Sequence, residues 1–178
     1  MAARKPLRSD AAPGLDVTPE RLGERVLQIL AENRIMAVAT LRDDGWPQAT
    51  MVGYAHDGLV LYFAIGRDSQ KRANMARDPR VSIAIGHHEP GEAGPRGLSV
   101  AATVSEVTDA VAVRRLNDLI LERYPEQMVF TPSGASIALM KALPTVISLI
   151  DPANGQDKPL LLRVDRGGAL RPEVVPAL

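Results

Sequence analysis

The sequence predicts a mainly β protein, a small antiparallel barrel with helices at its periphery. Three observations lead to this prediction. Six or seven short runs are rich in apolar and β-branched residues, and the Asp44-Gly45 and Asp57-Gly58 turns separate the first three of them. The runs do not alternate regularly with long helices, which disfavours a doubly wound parallel sheet.

The first predicted element is an amphipathic helix that begins after Thr18 and ends near Asn33. Thr18 is a favourable N-cap, and Pro19 suits the first helical position. Apolar residues then recur on one helical face, at Leu22, Val26, Ile29 and Leu30.

The predicted strands follow this helix, at residues 35–41, 48–54, 59–65, 80–86, 97–107, 145–150 and 160–164. The first three form an antiparallel meander through the two Asp-Gly turns. These three runs are apolar on both faces, which a closed barrel, a covered sheet or a dimer interface would explain. Further helices are predicted at residues 69–77, 109–123 and 136–143.

One domain is expected over residues 18–165, because 178 residues are too few for two full cores. Residues 1–17 are expected to form a flexible N-terminal tail, and residues 166–178 a C-terminal tail. No apolar run approaches the roughly 20 residues that cross a bilayer, and the N-terminus lacks a signal-peptide pattern. A cytoplasmic protein without a membrane partner is therefore expected.

Composition excludes several classes of function. The 21 Lys and Arg residues balance the 21 Asp and Glu residues, so the formal net charge is zero. A neutral chain is atypical of nucleic-acid binders, which neutralise phosphates. Since the chain has no cysteine, thiolate nucleophiles and iron–sulfur clusters are excluded. No metal site is predicted at His87 and His88, because neighbouring side chains of a strand point to opposite faces.

The most informative segment joins the third strand to the helix after it. Residues 67–80 contain five basic and two acidic residues, in a chain whose total charge is zero. Ser69 is the expected N-cap, and the helix start offers free backbone N–H groups and a partial positive charge. With Lys71 and Arg72, this arrangement suits a phosphate monoester. A plain helix cap with solvated cations remains the alternative on these grounds.

Four segments, taken in order, resemble the FMN-binding split-barrel superfamily of pyridoxamine 5'-phosphate oxidase-like proteins. They are AVATLRDDGWP at 37–47, LYFA at 61–64 with SQKRANM at 69–75, DPRVSI at 78–83, and SVAATVSEVTD at 99–109. The resemblance implies a six-stranded split barrel that forms a homodimer, with FMN at the subunit interface.

The resemblance also implies which residues bind FMN. Ser69 and Lys71 would bind its phosphate, with Arg67 or Arg72. The remaining cofactor contacts would come from the end of the third strand and from the second strand: Ala64, Ile65, Thr50, Met51 and Val52.

The chain also departs from this family pattern. Ala64 stands where many members have threonine. The second strand lacks the cations of true pyridoxamine-phosphate oxidases, and the C-terminal segment lacks their histidine, so vitamin B6 oxidation is not expected.

A flavin-dependent oxidoreductase acting on a small molecule is the first expectation. A non-catalytic stress-type flavin protein and a relative that uses a deazaflavin or haem are the alternatives. Tyr54 and His56 are the nearest acid–base candidates, and no catalytic residue is assigned.

Overall fold

The computed structural model describes residues 18–88, 90–91, 94–125 and 136–172. The predicted tail at 1–17 and residues 173–178 lie outside the described residues. The helices of the described part are α1 (Pro19–Glu32), α2 (Gln70–Arg77) and α3 (Ala110–Arg123), with a 3₁₀ turn at Pro152–Asn154. The strands are β1 (Ile35–Leu41), β2 (Pro47–Gly53), β3 (Ala55–Asp57), β4 (Val60–Gly66), β5 (Arg80–His87), β6 (Arg96–Glu106), β7 (Ile137–Asp151), β8 (Gln156–Val164) and β9 (Leu170–Pro172).

All of these strands belong to one antiparallel sheet. Its main order is β2-β1-β5-β6-β7-β4-β3, with β8 paired to β7 and β9 paired to β8. Strand β7 has 15 residues and is long enough to pair with two other strands along one of its edges. Its first half pairs with β4 and its second half with β8. The sheet curls so that β2 lies close to β4, although the hydrogen-bonded partners of β4 are β3 and β7.

The predicted mainly β fold with peripheral helices is confirmed. The strand number differs from the predicted six, because the described residues form nine strands. Two of them, β3 and β9, have three residues each. The strand β9 falls within residues 166–178, which were expected to form a tail, and its Leu170 packs into the core.

Two sequence-based predictions about connections were wrong. The Asp57-Gly58 turn joins β3 to β4, so the second strand does not continue a simple meander into the third. Residues 136–143 were predicted to be helical, but residues 137–143 belong to β7. The Ala, Leu, Met and Lys residues there favour a helix locally. Pairing with both β4 and β6 overrides that preference.

The core lies inside the curled sheet and is closed on one side by α1. Alternate residues of β4 and β5 point inward, as their burial pattern shows. The buried face of α1 consists of Leu22, Val26, Ile29 and Leu30, as its apolar spacing predicted. Helix α3 packs on the outer side of the sheet, where Val113, Ile120 and Tyr124 form a second apolar cluster with Ala55 and Leu139.

No helix in the described part of the chain combines the length and apolar character that crossing a membrane requires.

Candidate functional site

The candidate phosphate site is the start of α2, directly after β4. Ser69 is the N-cap, as predicted, and its Oγ accepts a hydrogen bond from the Arg72 backbone N–H at 3.3 Å. The same hydroxyl donates to the Gly66 carbonyl oxygen at 2.6 Å. The hydroxyl proton of Ser69 is therefore already donated to a backbone carbonyl group and is not available to an anion. An anion here would meet the backbone N–H groups of Gln70 and Lys71, which have no acceptor within the first helical turn.

Three cationic side chains surround this helix start. Lys71 is half-buried and makes no hydrogen bond or ion pair with the described residues. Arg67 and Arg72 both bind Glu106, at 2.7 and 2.8 Å. With the exposed carboxylate of Asp68 counted, the group has three positive and two negative charges. Lys71 is thus the cation of this group that no carboxylate among the described residues neutralises.

Glu106 is a residue of this candidate site that the sequence analysis did not identify. It lies at the end of β6, 34 positions after Arg72. Burial acts to raise the pKa of its carboxyl group, but hydrogen bonds from Arg72 and Arg67 outweigh burial, and the net pKa is lowered. Glu106 therefore holds the two guanidinium groups beside α2. The sequence carries no local signal for this contact, because solvated arginines need no acidic partner and Glu106 lies 34 positions from Arg72.

Replacement of Glu106 by glutamine should lower the free energy of unfolding by about 1–2 kcal/mol at neutral pH, because two partly exposed ion pairs are lost. The pKa of Glu106 is lower in the folded state than in the unfolded chain. The stabilisation is therefore complete above the unfolded pKa and is lost as pH falls through the folded pKa. Urea denaturation of both proteins at several pH values measures this difference. A difference that stays constant into the acidic range would contradict the assignment.

The position of α2 depends on Asn74, which is fully buried. Its amide nitrogen donates to Thr40 Oγ1 at 2.9 Å and to Gln48 Oε1 at 3.2 Å. Its amide oxygen accepts a hydrogen bond from Gln70 at 2.9 Å. These bonds connect the helix to β1 and β2 in the interior. The start of α2 is consequently fixed against the same hairpin that carries the predicted flavin contacts.

The other predicted cofactor residues lie on the two strands next to this helix. On β4, Ile65 points into the core, whereas Ala64 is half-buried on the face that packs toward α3. On β2, Thr50 and Val52 are half-buried, and Met51 projects outward with 66% of its surface exposed. The structure thus brings Arg67, Ser69, Lys71 and Arg72 together. Met51 lies toward the opposite end of the β1–β2 hairpin, since Thr40 and Gln48 mark the end next to α2.

Neither acid–base candidate of the sequence is placed for proton transfer at this helix start. Tyr54 is buried, and its hydroxyl donates to the Leu30 carbonyl at 2.8 Å. Burial strongly raises its pKa. His56 lies on β3, and its Nδ1 is 3.0 Å from the Gly58 carbonyl oxygen. Burial lowers the pKa of His56, which keeps its ring neutral near pH 7.

Other features of the structure do not add to this site. A cavity of about 890 Å³ lies between α1, the β3–β4 turn and the β8–β9 turn. None of the four residues gathered at the start of α2 lines it. Among the described residues, no group of three or more His, Asp or Glu side chains is placed to hold a metal ion.

Comparison with known proteins finds similar sequences and similar folds. General stress protein 26 of Bacillus subtilis is 27% identical to the chain over 64 residues, which are 36% of the chain and 45% of that protein. The matched region thus spans less than half of that relative.

Two solved structures extend the likeness over most of the fold. General Stress Protein 26 from Bacillus anthracis is 24% identical, with a TM-score of 0.62, over 80% of this chain and 98% of that one. An F420 Reductase is 28% identical, with a TM-score of 0.52, over 68% of this chain and 94% of that one. The model of the pyridoxamine 5'-phosphate oxidase family matches residues 22–149. These residues include β1 to β6, α2 and most of β7, and the chain accordingly belongs to the pyridoxamine 5'-phosphate oxidase family.

Proposed function

We propose that the protein binds FMN and acts as a flavin-dependent oxidoreductase on a small molecule. One observation carries the proposal: Lys71, which has no partner among the described residues, lies beside the open backbone N–H groups at the start of α2. A helix start with an unpaired cation suits a phosphate monoester, which is the anionic end of FMN.

Different groups of residues would hold the phosphate and the rest of the cofactor. Lys71 and the first N–H groups of α2 would bind the phosphate, and Arg67 and Arg72 would add positive charge while Glu106 orients them. Ala64 and the backbone of Ile65, whose side chain points into the core, would border the cofactor from the end of β4, and Thr50, Met51 and Val52 would border it from β2. When bound, the flavin supplies hydride chemistry, and the chain supplies orientation and excludes water.

The absorption spectrum of the purified protein, recorded before and after addition of FMN and removal of the excess, tests the proposal. Retention of the two absorption bands of an oxidised flavin, in stoichiometric amount, supports it. A protein that retains no flavin under either condition contradicts it. A reduction assay with NADH or NADPH and a dye acceptor then distinguishes an oxidoreductase from a protein that only stores flavin.

Two other functions are favoured by specific likenesses. The F420 Reductase supports a deazaflavin cofactor. General stress protein 26 supports a stress-related role. Vitamin B6 oxidation is not proposed, because residues 49–54, which comprise most of β2 and the residue after it, include no lysine or arginine. The wavelength of the retained absorption band separates a flavin from a deazaflavin.

We also propose that the protein is a homodimer whose two copies meet on the outer face of β2, β1 and β5. Across these strands Met51 lies opposite Ala37, and Ala37 lies opposite Ala84. Ile35 and Met51 expose 56% and 66% of their surfaces on this side. The small side chains allow another sheet to approach closely, and the exposed apolar side chains beside them are typical of a contact surface. A second subunit would cover the outward side of Met51, as the resemblance implied for a cofactor at the interface.

Replacement of Ala84 by glutamate should convert the dimer into a monomer, because two carboxylates would be buried at the centre of the contact. Light scattering should give twice 19.1 kDa for the unchanged protein and 19.1 kDa for the variant. Ala153→Glu, on the exposed 3₁₀ turn, is the matched control and should remain dimeric. A monomeric unchanged protein would contradict the dimer proposal.

A further inference from the structure

The cavity of about 890 Å³ lies where one edge of β7 passes from one partner strand to the next. On this edge β4 pairs with residues 137–142, and β8 pairs from Val146 onward. Residues 143–145 have no partner strand there within the described part of the chain. Pro144, which has no N–H group, suits such a position. The gap faces α1, and the space between them is called the α1 cavity below.

The α1 cavity is separate from the FMN site and from the dimer contact proposed above. None of the residues assigned to either of them lines it. The cavity meets β4 at its beginning, at Val60, whereas α2 follows the end of that strand at Gly66. Seven residues of extended strand span roughly 20 Å. A ligand in the α1 cavity would therefore lie at the other end of β4 from the start of α2.

The walls of the α1 cavity are mainly apolar. Leu27 of α1 and Leu143 of β7 expose 37% and 45% of their surfaces, although both line the cavity. The other large apolar side chains come from the start of β4, the end of β8 and the start of β9, and they are Leu59, Val60, Val164 and Leu170. Apolar side chains from several elements around one concave space are typical of small-molecule sites.

The charges around the α1 cavity are balanced. Two of its three carboxylates have arginine partners outside the lining, since Asp57 binds Arg115 at 2.8 Å and Asp165 lies 3.6 Å from Arg171. Asp165 also accepts hydrogen bonds from two backbone N–H groups of its own turn. The third carboxylate, Glu20, and the lining Arg166 are exposed and opposite in sign. With the partners counted, three acidic and three basic residues offset each other, so no net charge favours an ionic ligand.

Gly23 leaves space in the helical wall of the cavity. It lies inside α1, where glycine costs about 1 kcal/mol relative to alanine. No steric contact requires glycine at this position, because a Cβ added there would meet no atom within 4 Å. The missing side chain therefore enlarges the open space between α1 and the sheet.

We propose that the α1 cavity binds an uncharged, largely apolar small molecule with an aromatic or alkyl body. The body lies against Leu27 and Leu143 and passes beside Gly23, and burial of its apolar surface supplies the affinity. A charged group is disfavoured, because the cavity would remove water from it without offering an unbalanced opposite charge.

N-phenyl-1-naphthylamine is the probe, because it is uncharged and its fluorescence rises in apolar surroundings. Its sulfonated analogue, 1-anilinonaphthalene-8-sulfonate, has the same rings and one negative charge. The full-length protein should bind the uncharged probe saturably, with one site per chain, and at least about tenfold more tightly than the sulfonate. Equal or tighter binding of the sulfonate, or no saturable binding of the uncharged probe, would overturn the proposal.

Two variants of Gly23 locate the binding site. Gly23→Leu places a branched side chain in the cavity and should weaken probe binding at least about tenfold. Gly23→Ala is the matched control and should change the affinity less than about twofold, because one methyl group occupies little of the cavity. Both variants should have a higher Tm than the unchanged protein, since leucine and alanine favour a helix more than glycine does. Unchanged probe binding in a folded Gly23→Leu protein would show that the probe binds elsewhere.

Two further measurements distinguish other occupants of the cavity. Residues 1–17 precede α1 and lie outside the described residues, so a chain without residues 2–16 is titrated beside the full-length protein. If only the shortened chain binds the probe, the N-terminal segment fills the cavity and the proposal is wrong. Equilibrium dialysis with added FMN should leave probe binding unchanged. Displacement by FMN would assign the cavity to the cofactor, whereas failure of the probe to bind leaves the FMN proposal standing.

Discussion

The Lys71→Gln variant is expected to bind FMN about 10- to 100-fold more weakly than the unchanged protein, because a charge-assisted hydrogen bond contributes about 1.5–3 kcal/mol. Lys71 is the cation at the start of α2 without a carboxylate partner in the described part of the chain, so its charge is fully available to a phosphate. Titration by quenching of flavin fluorescence measures the dissociation constant. Riboflavin, which lacks the phosphate, should bind both proteins equally.

Two further variants define this prediction. Lys158→Gln removes the same charge from an exposed position on β8 and should leave the affinity unchanged. Ser69→Ala should reduce FMN affinity less than Lys71→Gln, because the Ser69 proton already goes to Gly66. Loss of this N-cap should cost about 1 kcal/mol of stability. If a folded Lys71→Gln protein binds FMN as tightly as the unchanged one, the phosphate is not held at this helix.

The Asn74→Ala variant should lose about 2–4 kcal/mol of the free energy of unfolding. The substitution removes a fully buried amide and leaves Thr40 and Gln48 without their hydrogen-bond donor in the interior. For a chain of this size, the loss corresponds to a fall in Tm of roughly 5–15 °C, which thermal denaturation followed by circular dichroism measures.

Gln70→Ala is the control for this variant, because it removes the exposed partner of the same network. The change in stability should then be about 1 kcal/mol, because one part-buried hydrogen bond is lost while the bonds from Asn74 to Thr40 and Gln48 remain. Equal destabilisation by the two variants would show that Asn74 does not hold α2 to the sheet. Asn74→Ala should also weaken FMN binding, since the start of α2 loses its interior attachment.

Much of the fold was predictable because its signals are local. The caps Thr18 and Ser69 were placed correctly, since a cap depends on a few neighbouring backbone N–H groups. The β1–β2 hairpin was also predicted correctly around Gly45, whose φ of 84° requires the freedom of glycine at the turn. The grouping of Arg67, Ser69, Lys71 and Arg72 follows from the same local geometry, because these residues belong to one turn and the helix after it.

The misassigned segment shows where local signals fail. Residues 136–143 favour a helix, yet residues 137–143 form part of the central strand β7, whose pairing with β4 and β6 depends on strands far away in the chain. Tyr54 was named as an acid–base candidate for the same reason, because the sequence does not show that its hydroxyl donates a hydrogen bond to the carbonyl oxygen of Leu30 near the end of α1.

The sequence by itself determined the class of fold, the helix caps and the cationic start of α2, because periodicity, turns and capping act over a few residues. Only the tertiary structure decided that Glu106 binds Arg67 and Arg72, that Asn74 connects α2 to β1 and β2, and that Asn33 orients His87. Most of these contacts join residues 26 to 54 positions apart. Side chains so far apart in the chain meet only when the sheet has curled and the helices have packed onto it. A pattern of neighbouring residues therefore does not predict these contacts.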